Sequence, residues 1–210
     1  MDNEQRSAVK SWYMEYVLEH GHPPPSVFKF CKTNGIEERD FYSSFPAFSA
    51  VEAEIWSDLV DRTGEVVDAD PEFSSYPTQQ KILAFLFTFL EQALEHRSFL
   101  LARFPGPNPR HRSVRKMACR YGDRATTWLQ EGADSGEIAK RGRLNTIYSH
   151  VLALHLLLVI DFWLKDGTSQ FERTDAYIEK TVKLVSELIR TQAGDATIDL
   201  VRFLAGMRQA

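Results

Sequence analysis

The stretch GHPPPSVFKFCKTNGIEERDFYSSFPAFSAV, residues 21–51, decides how the chain is read. Its three prolines, Pro23 to Pro25, end whatever helix precedes them, because proline restricts the residue before it and cannot continue a helix. Beyond them, apolar residues at helical spacing predict two short helices, one from Ser26 and one from Glu37. Gly35 sits between the two and supplies the turn.

Working outward, a helix is expected over residues 4–19 and a fourth over 49–62, followed by TGEVVDADPEFSSYP (63–77) as the clearest linker. Residues 78–96 form the next helix; from Ile82 to Leu90 it carries no charge and includes Phe85, Phe87 and Phe89, so it must be enclosed by neighbours. FPGPNPR (104–110) breaks the chain. After it, Val114, Met117, Ala118, Tyr121, Ala125, Trp128 and Leu129 make one buried stripe. A long apolar helix over 144–165 stops at Gly167, and the spacing of Ser169 and Glu172 reads as a capping box for a helix to Arg190. Gly194 closes that helix and a short last one is expected over 195–207. No stretch alternates strictly, so the fold class is all-α.

With 210 residues, 43% of them hydrophobic, the chain can bury a core of ordinary size. A net charge of −4 argues against coating nucleic acid by charge alone. Cys31 and Cys119 are the two cysteines; they form neither a disulfide framework nor a cysteine zinc site, and a cytoplasmic, reducing setting fits. The longest apolar run, 151–160, contains His155 and is too short to span a bilayer, so no integral membrane association is expected. The N-terminus has no apolar segment of an export signal. Neither a phosphate loop, a nucleophile elbow, HExxH nor a diagnostic carboxylate dyad occurs, so no catalytic residues, no metal ligands and no cofactor are assigned.

Residues 21–45 resemble the helix-turn-helix of TetR-family transcriptional regulators. The positions that carry the likeness are Gly21, Ser26, Phe30 with Cys31, Gly35 with Ile36, Phe41 with Tyr42, and Phe45, in the family's spacing without a gap. GEIAKR (136–141) before a long apolar helix also resembles the family's second domain. The resemblance implies a TetR-like fold: a three-helix helix-turn-helix head (1–48), a connecting helix and linker (49–76), and a helical ligand-binding and dimerisation domain (77–210). It further implies a homodimer, an apolar small molecule or lipid as ligand, and DNA contacts from Ser26, Lys29, Lys32, Arg39, Tyr42 and Ser43.

The departures from the family pattern bear on function. The helix that would enter the major groove begins Glu37, Glu38, Arg39, Asp40, and Phe48 stands where the family carries a phosphate-contacting Lys. Residues 1–60 hold five basic and ten acidic side chains, the reverse of the footprint of a duplex binder. Two functional readings follow: a ligand-responsive regulator with weak or atypical DNA binding, or a TetR-fold accessory protein that has lost DNA binding and holds a lipid, another apolar ligand or a protein partner.

Two further groupings stand out. Seven basic residues from Arg103 to Arg124 face a single Asp123; they read as a solvated face balancing an acidic neighbour, or as a docking face for an acidic partner or anionic membrane. The other is the aromatics and ionisable groups of the second domain: the resemblance implies an apolar pocket there, and Phe85, Phe89, His96, Tyr121, Trp128, His155 and Asp161 are its candidate lining.

Overall fold

The computed structural model describes residues 3–138 and 144–190. Among these there are nine α-helices and no strand: α1 (Asn3–His20), α2 (Val27–Asn34), α3 (Glu38–Ser44), α4 (Phe48–Asp68), α5 (Thr78–Leu94), α6 (Arg97–Arg103), α7 (Arg115–Asp134), α8 (Leu144–Lys165) and α9 (Glu172–Arg190). The helix expected over 195–207 and the end of the GEIAKR segment lie outside the described residues.

Local chemistry fixes the first three helices. Ser26 caps α2 by accepting a hydrogen bond from the Lys29 amide at 3.2 Å. Gly35 closes α2 in the left-handed region (φ 66°), and the Ile36 amide reaches back to the Cys31 carbonyl at 3.1 Å. On α1, Val9, Tyr13 and Val17 recur every four residues and are fully buried. Phe48, the first residue of α4, sets its ring among Tyr13, Phe30 and Phe41, with centroids 5.3–5.4 Å apart.

The structure lengthens α4 beyond expectation. Residues 63–68, read as linker, continue the helix, because Thr63, Gly64 and Val67 are buried and the packing gain outweighs the weak helical preference of Gly64. At Gly64 the Arg124 guanidinium of α7 lies in the space a Cβ would take. The chain turns only at Asp70 and resumes at Thr78 after a 3-10 turn, Phe73–Ser75. Residues 97–103, left unassigned from the sequence, form α6.

No residue from 81 to 90 of α5 is exposed, as its all-round apolar character requires. The expected stripe of α7 is buried from Met117 to Leu129. Among the described residues, α8 alone is long and apolar enough to cross a membrane by length and composition, but 61% of that segment is buried, mostly against α7 and α9. The expected capping box at Ser169 is replaced by a stronger acceptor. The Asp166 carboxylate takes the amides and hydroxyls of Thr168 and Thr174 at 2.6–2.9 Å, which hold its carboxyl well below the usual carboxylate range and tie the end of α8 to the start of α9. Arg97 closes the same corner, its guanidinium over the rings of Trp163 and Phe171 and donating to the Leu164 carbonyl at 3.1 Å. One apolar core runs through all of this, from Val9 to Ile189.

Candidate functional site

The outer face of the head is built by α2 and α3. Lys29, Lys32, Arg39, Tyr42 and Ser43 are exposed there, while Ser26 is half-buried as the cap of α2. The Ser43 hydroxyl donates to the Asp40 carbonyl at 2.7 Å. Glu37 and Asp40 share the surface, and Glu38 is half-buried in the first turn of α3, where acids suit the helix dipole. Three cations and three carboxylates therefore divide this face evenly. Phe48 is not part of it; its ring belongs to the head's aromatic core.

Behind the head, α4 presents a row of acids, and basic residues from both sides close on it. From α1, Arg6 pairs with Glu54 at 2.5 Å and Lys10 with Asp58 at 2.5 Å. From the other side, Arg103 pairs with Glu52 at 2.7 Å, Arg120 with Asp61, and Arg124 with Asp68 at 2.6 Å, while Lys116 stands 4.0 Å from Glu54. Most of the basic cluster is thus the solvated face that balances an acidic neighbour. Apart from the Glu52 pair, these partly exposed pairs each contribute modestly to stability, about 1 kcal/mol at most where solvent reaches them.

Glu52 differs, being 3% exposed. Its Oε1 accepts from the Tyr13 hydroxyl at 2.6 Å and from Arg103 Nε at 2.7 Å, and its Oε2 from the Ser113 hydroxyl at 2.8 Å. Burial, then the neighbouring carboxylate, push the Tyr13 phenol above its ordinary range. One carboxylate therefore joins α1, α4, α6 and the entry to α7. Sequence reasoning passed over Glu52, yet a signal existed: it lies at i, i+3, i+4 and i+7 spacing with Ile55, Trp56 and Leu59, an acid inside an apolar stripe.

The seven expected ligand residues do not gather in one cavity. Phe85, Phe89 and Tyr121 are fully buried, and the rings of Phe85, Tyr121 and Trp128 fill one another's space with centroids 5.0–6.1 Å apart. Trp128 also borders a cleft of about 390 Å³ with Thr78, Lys81 and Glu131. His96 lies elsewhere, in a polar cleft of about 500 Å³ between α1 and α4 with Lys10, Asp58 and Arg62; burial and then Arg62 lower its pKa. Asp161, paired with Lys165 at 2.7 Å, faces a third cleft of about 300 Å³ beside Phe162 and Tyr177. His155 points inward, its Nε2 2.8 Å from the Thr181 hydroxyl of α9.

Two buried atoms of this set have no hydrogen-bond partner among the described residues: the Tyr121 hydroxyl and His155 Nδ1. Burial alone raises the Tyr121 phenol and lowers His155 to about 4. Among the described residues, no group of three or more His, Cys, Asp or Glu is placed to hold a metal ion.

Comparison with known proteins adds one finding for the body. None of the curated proteins matches the chain. A family model described as tetracyclin repressor-like, C-terminal domain, matches residues 81–204, which is more than half of the chain and takes in most of α5 and all of α6 to α9. With that match over the body, the chain belongs to the tetracyclin repressor-like (TetR) family.

Proposed function

We propose that the chain is a homodimeric, cytoplasmic transcriptional regulator whose head meets duplex DNA weakly and whose helical body responds to an apolar ligand. The observation that carries the DNA part is the head's outer face, on which Lys29, Lys32, Arg39, Tyr42 and Ser43 all stand exposed around the Gly35 turn. The three carboxylates among them set the strength. Binding to duplex is expected in the non-specific range, roughly 10⁻⁴ to 10⁻⁶ M at physiological salt. Fluorescence anisotropy on the DNA upstream of the gene checks this; nanomolar binding at physiological salt would show that the electrostatic argument had failed.

Dimerisation is supported by an apolar stripe that nothing in the described chain covers. Val151, Leu154 and Leu158 of α8 and Leu184 of α9 are 38–56% exposed, with Phe162 and Tyr177 stacked at 4.4 Å at one end. A self-complementary face of this kind suits a two-fold dimer. Light scattering should give a dimer at micromolar concentration for the natural chain and a monomer for Leu158→Glu. An unchanged dimer in the variant would move the interface elsewhere.

The ligand part is supported by the unpartnered hydroxyl of Tyr121. A buried hydroxyl with no partner costs about 1–3 kcal/mol, so something must meet it when the protein acts, or it is a plain loss. Tyr121→Phe is therefore expected to raise the stability of the ligand-free protein by about 1 kcal/mol in urea unfolding. It should also weaken binding of a fluorescent fatty acid. A destabilised variant would mean that the hydroxyl already has a partner.

The inward Phe48 and the acids at the start of α3 favour a second reading, a TetR-fold accessory protein that has given up DNA and keeps an apolar ligand or a protein partner. Complete absence of duplex binding even at low salt, together with fatty-acid binding, selects it.

A further inference from the structure

We infer that the corner between α6 and α7 carries a second polyanion surface, formed by Arg110, Arg112 and Arg115, that grips the phosphate backbone of duplex DNA beside the head. This rests on the DNA-binding reading above. Of the seven basic residues from Arg103 to Arg124, the other four are placed against acids of α4. These three are exposed, and among the described residues no carboxylate lies within ion-pair distance of them. They are therefore a net +3 with no counter-charge among the described residues, on a molecule of net −4.

The corner is stiff, so little freedom is lost on binding. Pro105, Pro107 and Pro109 fix alternate backbone angles. The Asn108 side chain accepts from the Arg110 amide at 3.1 Å, and the His111 carbonyl accepts from the Arg115 amide at 2.9 Å. It is also fastened to the head. Ser113 donates to Glu52 at 2.8 Å, and Glu52 stands four residues along α4 from Phe48, about 6 Å on the helix axis from the head's aromatic core. Arginine suits the task because its charge is permanent and its planar fork matches phosphate oxygens. A lipid surface fits less well: no large apolar side chain is exposed anywhere from residue 105 to 115 to enter the acyl boundary. A duplex resting on a head of balanced charge would thus draw its phosphate affinity from the neighbouring corner.

The test compares the full chain with a triple variant, Arg110→Ala, Arg112→Ala and Arg115→Ala, by anisotropy on a labelled duplex between about 50 and 200 mM salt. Each lost phosphate contact lowers the slope of log affinity against log salt by about 0.9, so the triple variant should lose up to about 2.7 and bind at least tenfold more weakly at the low-salt end. The matching Arg→Lys triple should keep the slope, and circular dichroism should show all three proteins equally folded. A slope unchanged in the Ala triple, while Lys29→Ala with Lys32→Ala weakens binding, overturns the corner and leaves the head reading intact. Absence of duplex binding by the natural chain at low salt overturns both. Loss of binding to phosphatidylserine vesicles with duplex binding unchanged would assign the arginines to a membrane surface instead.

Discussion

Phe48→Lys, the exchange that would restore the family's phosphate-contacting residue, should cost roughly 3 kcal/mol in urea unfolding and should not tighten DNA binding. The ring belongs to the aromatic core of the head, stacked on Tyr13 and edge-on to Phe30 and Phe41. Deleting a buried phenyl group removes its transfer energy and leaves a cavity; partial exposure of Phe48 puts the loss at the lower end of the usual range. A lysine at this place can bring its ammonium to water only by drawing its stem out of the cluster. The damage would not stop at the head, because Phe48 opens the same helix that carries Glu52 four residues later. Glu37→Ser with Glu38→Gln is the contrasting pair. Those acids lie on or near the outer face, and their removal should raise duplex affinity and steepen its salt dependence. A stable Phe48→Lys protein that binds duplex more tightly would show that the ring is not structural.

Signals written within a few turns of chain were legible in the sequence, and those that depend on a distant helix were not. The bounds of α8, the buried stripe of α7 and the Ser26 and Gly35 punctuation of α2 were legible because each is written within a few turns of chain. The length of α4 was not. Gly64 and the acids after Arg62 read as linker, whereas α7, some sixty residues on, supplies packing surface and the Arg124 partner of Asp68 that help keep this stretch helical. A solvated face balancing an acidic neighbour was legible for the basic cluster, but the identity of that neighbour was hidden for the same reason. The cluster's partners Glu52, Asp61 and Asp68 lie in another helix, and periodicity reports a face without naming what covers it. The ligand site shows this limit most clearly. Spacing put Phe85, Tyr121 and Trp128 on inward faces, where they are, but it could not say whether the space between them would be empty or filled by the rings themselves.

His155 should make the protein acid-sensitive in a defined window. It is 4% exposed in α8. The Thr181 hydroxyl donates its own proton to the Tyr177 carbonyl at 2.7 Å, so it must accept from His155 Nε2–H; the ring is neutral, with Nδ1 bare and unpartnered. Protonation would place a charge and a new donor where no acceptor waits, and burial accordingly lowers the pKa to about 4. In the unfolded chain the ordinary value near 6.5 returns. Above pH 6.5 neither state holds the extra proton and His155 contributes no pH dependence. Between pH 6.5 and 4 the unfolded state takes up a proton that the folded state refuses, so stability falls with falling pH, by about 3 kcal/mol in all. His155→Gln can keep a donor for Thr181 and does not titrate. Urea unfolding at pH 7.5 and pH 4.5 should therefore show the natural chain losing about 2–3 kcal/mol more than the variant. Losses from carboxylates such as Asp166 are shared by both proteins and cancel in the difference. Because His155 and Thr181 join α8 to α9 beside the apolar stripe, in the proposed dimer the acid-induced loss should appear first as dissociation in light scattering. Equal acid losses in the two proteins would mean that the imidazole meets water or a counter-charge in the folded state.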